Sequence, residues 1–113
     1  DGEVLICGAE TPGEVRLTPQ VVDIPGLPTP FLENDELVAV IASAESTDAA
    51  YKMAIDMMHG FLTKVAGMPT NDAALLMSLV GYLKFCQVVD PLLTVRFEFP
   101  KSVLADYGFV MPR

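Results

Sequence analysis

Apolar and polar positions along this chain follow two different periods. From Leu93 to Phe99 they alternate strictly: Leu93, Val95, Phe97 and Phe99 point one way, Thr94, Arg96 and Glu98 the other. A period of two is that of a strand with one dry and one wetter face. Leu37 to Ala42 (LVAVIA) is a continuous apolar run of strand length, as a central strand requires. From Ala49 to Ala66 the period changes to that of a helix. Asp48, Lys52, Asp56, His59, Gly60, Thr63 and Lys64 trace one narrow polar stripe, and the remaining positions are apolar, so the helix is expected to be embedded on most sides. Ser46 and Thr47 offer its N-cap, Gly67 a C-terminal left-handed residue, and Pro69 blocks continuation.

A second helix is expected over about Asp72 to Tyr82, capped by Thr70 or Asn71 and apolar nearly all round. The short link makes the two helices an antiparallel αα-hairpin. The segment FCQVVD then reads as a short strand, and Asp90-Pro91 as a turn. Towards the start, Val4 to Ala9 and Glu14 to Val22 read as strands, with Pro19 placing the second at an edge or on a bulge. DIPGLPTP (Asp23 to Pro30) is an extended connection, Phe31 to Glu33 a short strand, and Lys101 to Asp106 a short helix opened by Pro100. The fold class is α+β: strands, an inserted antiparallel two-helix hairpin, then strands that return to the sheet.

Composition sharpens this picture in three ways. An apolar fraction of 51% in 113 residues is high for a free-standing domain, which leaves roughly a third of its unfolded-state surface exposed. Some of that apolar sequence is therefore expected to be covered by another subunit or by further polypeptide. The chain also opens on Asp1 rather than methionine, so the expectation is a single domain over 1–113 or the C-terminal part of a larger one. A net charge of −8 argues against nucleic acid and anionic membrane as partners. No apolar run reaches the roughly 18 residues of a membrane span.

Few residues carry chemistry. By alternation Asp1, Glu3, Leu5 and Cys7 share one face, so two carboxylates lie near a thiol; such a pair either binds a metal or serves acid–base work, or is simply a solvated strand entrance. Glu10 falls on the opposite face or caps the strand end. His59 is the only histidine and lies on the wet stripe, so neither a Ser-His-Asp triad nor a closed zinc site is built from this chain alone. Cys7 and Cys86 read as buried free thiols. Cys86 as a nucleophile would need a base and a lowered pKa, with Lys84 on its face only if the strand has begun there. Gln87 is an amide inside an apolar segment, and either satisfies neighbouring backbone or orients a substrate amide.

Three stretches taken in series resemble the C-terminal half of the acetamidase/formamidase family: DGEVLICGAETPGEVRL (Asp1 to Leu17), LLMSLVGYLKFCQVVDP (Leu75 to Pro91) and VRFEFPKSVL (Val95 to Leu104). The resemblance implies a β-sandwich-like sheet with the inserted two-helix hairpin, hydrolysis of small linear amides to carboxylic acid and ammonia, a divalent metal (zinc or calcium), and a homo-oligomer; the compartment expected is cytoplasmic. It matches Asp1 and Glu3 to the family's acidic pair, as catalytic groups and metal ligands, Glu10 to the glutamate after them, and Gln87 to the Cys/Ser-Gln-Val-Val element. Tyr82 departs from the acidic or small residue usual after the glycine. Two other expectations come from different classes: a non-catalytic oligomerisation or small-ligand-binding module retaining the fold, and a cysteine-dependent amidase using Cys86.

Overall fold

The computed structural model describes Leu5 and residues 8–112. The observed elements are β1 (Phe31–Glu33), β2 (Leu37–Ala44), α1 (Thr47–Gly60), a π-helical turn (Phe61–Val65), α2 (Thr70–Val80), β3 (Tyr82–Gln87), β4 (Leu93–Pro100) and α3 (Lys101–Asp106). The class is α+β. Its sheet is four-stranded and antiparallel throughout, in the order β1-β2-β4-β3.

The strict alternation of β4 sets both sheet faces. Val38, Val40 and Ala42 of β2 pair with Phe99, Phe97 and Val95 of β4, and all six are buried beneath the helices. The core continues through Ala50, Ala54 and Met58, one stripe of α1 at i, i+4 and i+8. Phe61 is its centre, with ring centroids 4.9 Å from Phe31 and 5.7 Å from Phe109, the latter edge-on.

Local signals explain most element ends. Ser46 caps α1, its Oγ accepting from Ala49 N at 3.2 Å. Gly67 has φ +72, the left-handed geometry expected of it, and Met68 N reaches back to Leu62 O. The Asn34 side chain accepts from both Glu36 N and Leu37 N and so shapes the acidic turn before β2.

Three expectations need correction, and a fourth falls largely outside the described residues. Glu14 to Val22 forms no strand: Val15, Leu17 and Val21 are exposed, because alternation yields a strand only where a partner strand accepts its hydrogen bonds. Val4 to Ala9 falls largely outside the described residues, and Gly8 and Ala9 have no regular structure. α2 begins at Thr70 behind Pro69, without a side-chain cap, and ends at Val80, because β3 already pairs with β4 at Tyr82. Neither helix is embedded on most sides: each rests on one sheet face, and Met53 and Ile55 of α1 and Leu75 and Leu79 of α2 are left exposed by the described residues.

Candidate functional site

The face of the sheet turned away from the helices carries the polar side chains. Alternation places Thr94, Arg96 and Glu98 there from β4. Register brings Ser43 of β2 opposite Thr94, and Lys84 and Tyr82 of β3 opposite Arg96 and Glu98. A register irregularity between Phe85 and Gln87 interrupts the alternation of β3. Strict alternation from Phe85 would turn Gln87 toward the helices; the extra residue sets it opposite Thr94 instead, and Cys86 stays on the polar face beside Arg96.

Lys84 and Arg96 are directly opposed like charges, an arrangement that by itself destabilises a sheet. Glu98 resolves it. Its Oε1 accepts from Arg96 Nε at 2.6 Å, and its Oε2 lies 2.8 Å from Lys84 Nζ. Glu98 is only 5% exposed. Burial pushes its carboxyl up, but the hydrogen bonds from Lys84 and Arg96 outweigh that and hold it below the ordinary glutamate range. The Arg96 guanidinium is held protonated more firmly in turn, first by its hydrogen bond to Glu98. Glu98 and Tyr82 also line a small cavity of about 150 Å3 with Leu37 and Pro100.

Gln87 sits at the other end of this face. Its Oε1 accepts from Val89 N (3.1 Å) and Asp90 N (2.9 Å), and its Nε2 donates to Leu92 O and to Thr94 Oγ1 (3.3 Å). Thr94 Oγ1 and Ser43 Oγ are 2.8 Å apart, so three strands are tied by one polar chain. The amide therefore satisfies neighbouring backbone and fixes the β3–β4 turn.

The other candidates are scattered. Asp1, Glu3 and Cys7 lie outside the described residues. Glu10 is exposed in a segment without regular structure. Cys86 is a half-buried free thiol rather than a core one, with Arg96 Nη1 at 4.0 Å. β3 has begun by Lys84, which puts that residue on the polar face with Cys86. His59 is on the other side of the sheet, lining a groove of about 360 Å3 with Asp56, Met77, Ser78 and Phe97, so it forms no pair with Cys86. The Lys84–Glu98–Arg96 cluster was missed by sequence reasoning. Its available signal was an opposite-charge pair at i, i+2 on the wet face of β4; Lys84 joins only through the register.

Among the described residues no group of three or more His, Cys, Asp or Glu could hold a metal ion. Glu98 is already shared by two cations. The described residues thus do not fit a metal centre, and a divalent ion would need Asp1, Glu3 and ligands from elsewhere.

No protein-family model matches the chain. No curated protein matches it either. Solved structures do. An acetamidase from Bacillus halodurans is 34% identical over 74% of this chain and 28% of its own, with a TM-score of 0.70. A recombinant predicted acetamidase/formamidase from the thermophile Thermoanaerobacter tengcongensis is 38% identical over 72% and 27%, with a TM-score of 0.66. An acetamidase from Yersinia enterocolitica is 30% identical over 66% and 22%, with a TM-score of 0.63. The match therefore spans about a quarter of the length of these structures. Sheet, helices and polar face together define an α+β segment of an acetamidase-type fold. Over that segment the chain is similar to a fragment of the acetamidase/formamidase structures.

Proposed function

We propose that this chain is part of a hydrolase cleaving the C–N bond of small linear amides, of the formamide or acetamide type, to carboxylic acid and ammonia. The observation that carries this is the likeness, at 30–38% identity, to three structures bearing the names acetamidase or acetamidase/formamidase. Amide hydrolysis needs an activated water, a polarised carbonyl and an acid for the leaving amine. Glu3 is the proposed general base or metal-linked carboxylate, and Asp1 its assistant. A divalent metal, zinc or calcium, belongs to this reading as a group held in part by Asp1 and Glu3 that would activate the water.

The described residues supply the scaffold. Gln87, with its amide committed to the turn, is a positioning residue for the end of the polar face. The salt-bridged Lys84, Glu98 and Arg96 keep that face charged and rigid. A small amide as substrate and a homo-oligomeric assembly are parts of the same proposal.

The test is ammonia release from formamide and acetamide by the intact protein containing this chain, with and without added zinc or calcium. Glu3→Gln is expected to collapse turnover while the fold survives. Near-normal activity in that variant removes Glu3 from the mechanism. Absence of ammonia from every small amide leaves the non-catalytic module as the reading.

A further inference from the structure

The helical layer stops at β4. Leu83 and Phe85 of β3 point to the same side as their register partners Phe97 and Val95. Yet Phe97 and Val95 are 6% and 0% exposed, whereas Leu83 and Phe85 are 44% and 52% exposed. α2, joined to β3 by Gly81 alone, buries Ala73 and Met77 and leaves Leu75 and Leu79 at 63% and 76% exposure. These four side chains belong to two consecutive elements and look like core without a cover.

β3 is also an edge strand, with the hydrogen-bonding groups on one side unpaired by any described strand. Proteins blunt such edges by keeping them short or charged. The opposite edge, β1, has only three residues, but β3 has six, and its one charged side chain, Lys84, is drawn onto the polar face by Glu98.

We infer that the β3 edge and the outer face of α2 are the seat of further polypeptide of an acetamidase/formamidase-type chain, which adds a strand to β3 and covers Leu75, Leu79, Leu83 and Phe85. This rests on the likeness to those structures, not on the hydrolytic reading. The occupant is indicated by the lengths: the match takes in only 22–28% of the solved chains, so most of each lies outside it. Polypeptide tethered to this chain would meet the face at an effective concentration on the order of millimolar, which a second copy does not reach at ordinary protein concentrations. Two copies each carrying a net charge of −8 would in addition repel.

The experiment replaces the matched segment of the Bacillus halodurans acetamidase with this chain and compares the hybrid with the isolated chain by hydrogen exchange. The expected result is at least about tenfold slower exchange in the hybrid at the β3 amides that do not bond to β4. Leu75→Lys with Leu79→Lys is expected to lower the hybrid's melting midpoint and to leave that of the isolated chain unchanged. Equal exchange in both proteins overturns the inference. So does a hybrid that fails to fold where its parent folds, or sedimentation of the isolated chain as a dimer with the same amides protected. Ammonia release is scored separately: a folded, protected but inactive hybrid keeps the docking surface and counts against hydrolysis.

Discussion

Arg96 and Glu98 stand two residues apart on β4, and their side chains meet at 2.6 Å on the face turned away from the helices. A strand repeats its facing every second residue, so this pair is fixed by the backbone before any other strand is added. Lys84 then closes the cluster from the neighbouring strand.

That cluster makes part of the stability depend on pH. The folded-state pKa of Glu98 lies below its unfolded value, so the ionised carboxylate stabilises the fold fully above the ordinary glutamate range, and the contribution is lost as pH falls through the folded pKa. Glu98→Gln should lower stability at neutral pH by roughly 1–3 kcal/mol, less than for a fully buried pair because Lys84 is half exposed. Urea unfolding over an acid pH series is the measurement. An acid limb of the same steepness in wild type and variant would take Glu98 out of the account.

Gly81 is required by space rather than by its dihedral angles. A Cβ there would stand 2.5 Å from the Met77 carbonyl oxygen and 2.5 Å from Cζ of the buried Phe97 ring, and the first of these is helix backbone, which does not yield cheaply. Gly81→Ala should cost about 1–3 kcal/mol. Gly60, with open space around its Cβ direction and helical dihedrals, is the internal control, and Gly60→Ala should gain about 0.4–1 kcal/mol. Thermal midpoints moving in the same direction would contradict this.

Gln87 is expected to act through the turn it holds. Gln87→Leu should destabilise by roughly 1–3 kcal/mol and speed hydrogen exchange at Val89 and Asp90, whose amides it accepts from. Gln87→Glu keeps an acceptor for those amides and loses the donor to Leu92 and Thr94, so protection at Val89 and Asp90 should persist. Unchanged exchange in Gln87→Leu would show that the turn holds itself.

Phe61 joins three parts of the chain through Phe31 and Phe109. Phe61→Ala should cost about 3–5 kcal/mol by chemical denaturation. In a double-mutant cycle with Phe109→Ala, a coupling of about 0.5–1.5 kcal/mol is expected. Strict additivity would mean that the rings pack without a specific edge-to-face contribution.

Local signals carried much of the fold. The alternation of β4, the apolar run of β2, the Ser46 cap and the Gly67 stop each act within a few residues of where they are read. Failures came where a distant partner decides. Glu14 to Val22 alternates as a strand does, but no pairing edge meets it among the described residues. The helices are apolar nearly all round, which shows how much surface is able to be buried, not how much this chain buries. On the polar face, Lys84 reaches Glu98 only through the β3–β4 register, and Gln87 lies beside Thr94 only because of the irregularity after Phe85. The acidic pair Asp1 and Glu3 lies outside the described residues, so its place rests on the family resemblance.

The wide turn from Phe61 to Val65, where Ala66 N bonds to Phe61 O five residues back, has a geometric consequence for everything after it. It holds one residue more than ordinary winding needs, and each residue of a helix advances the azimuth by about 100°. A chain shorter by one residue here would leave the first helix in another direction and aim the second away from the sheet. The surplus residue steers α2 onto β4, and with it sets where the exposed flank of the molecule begins.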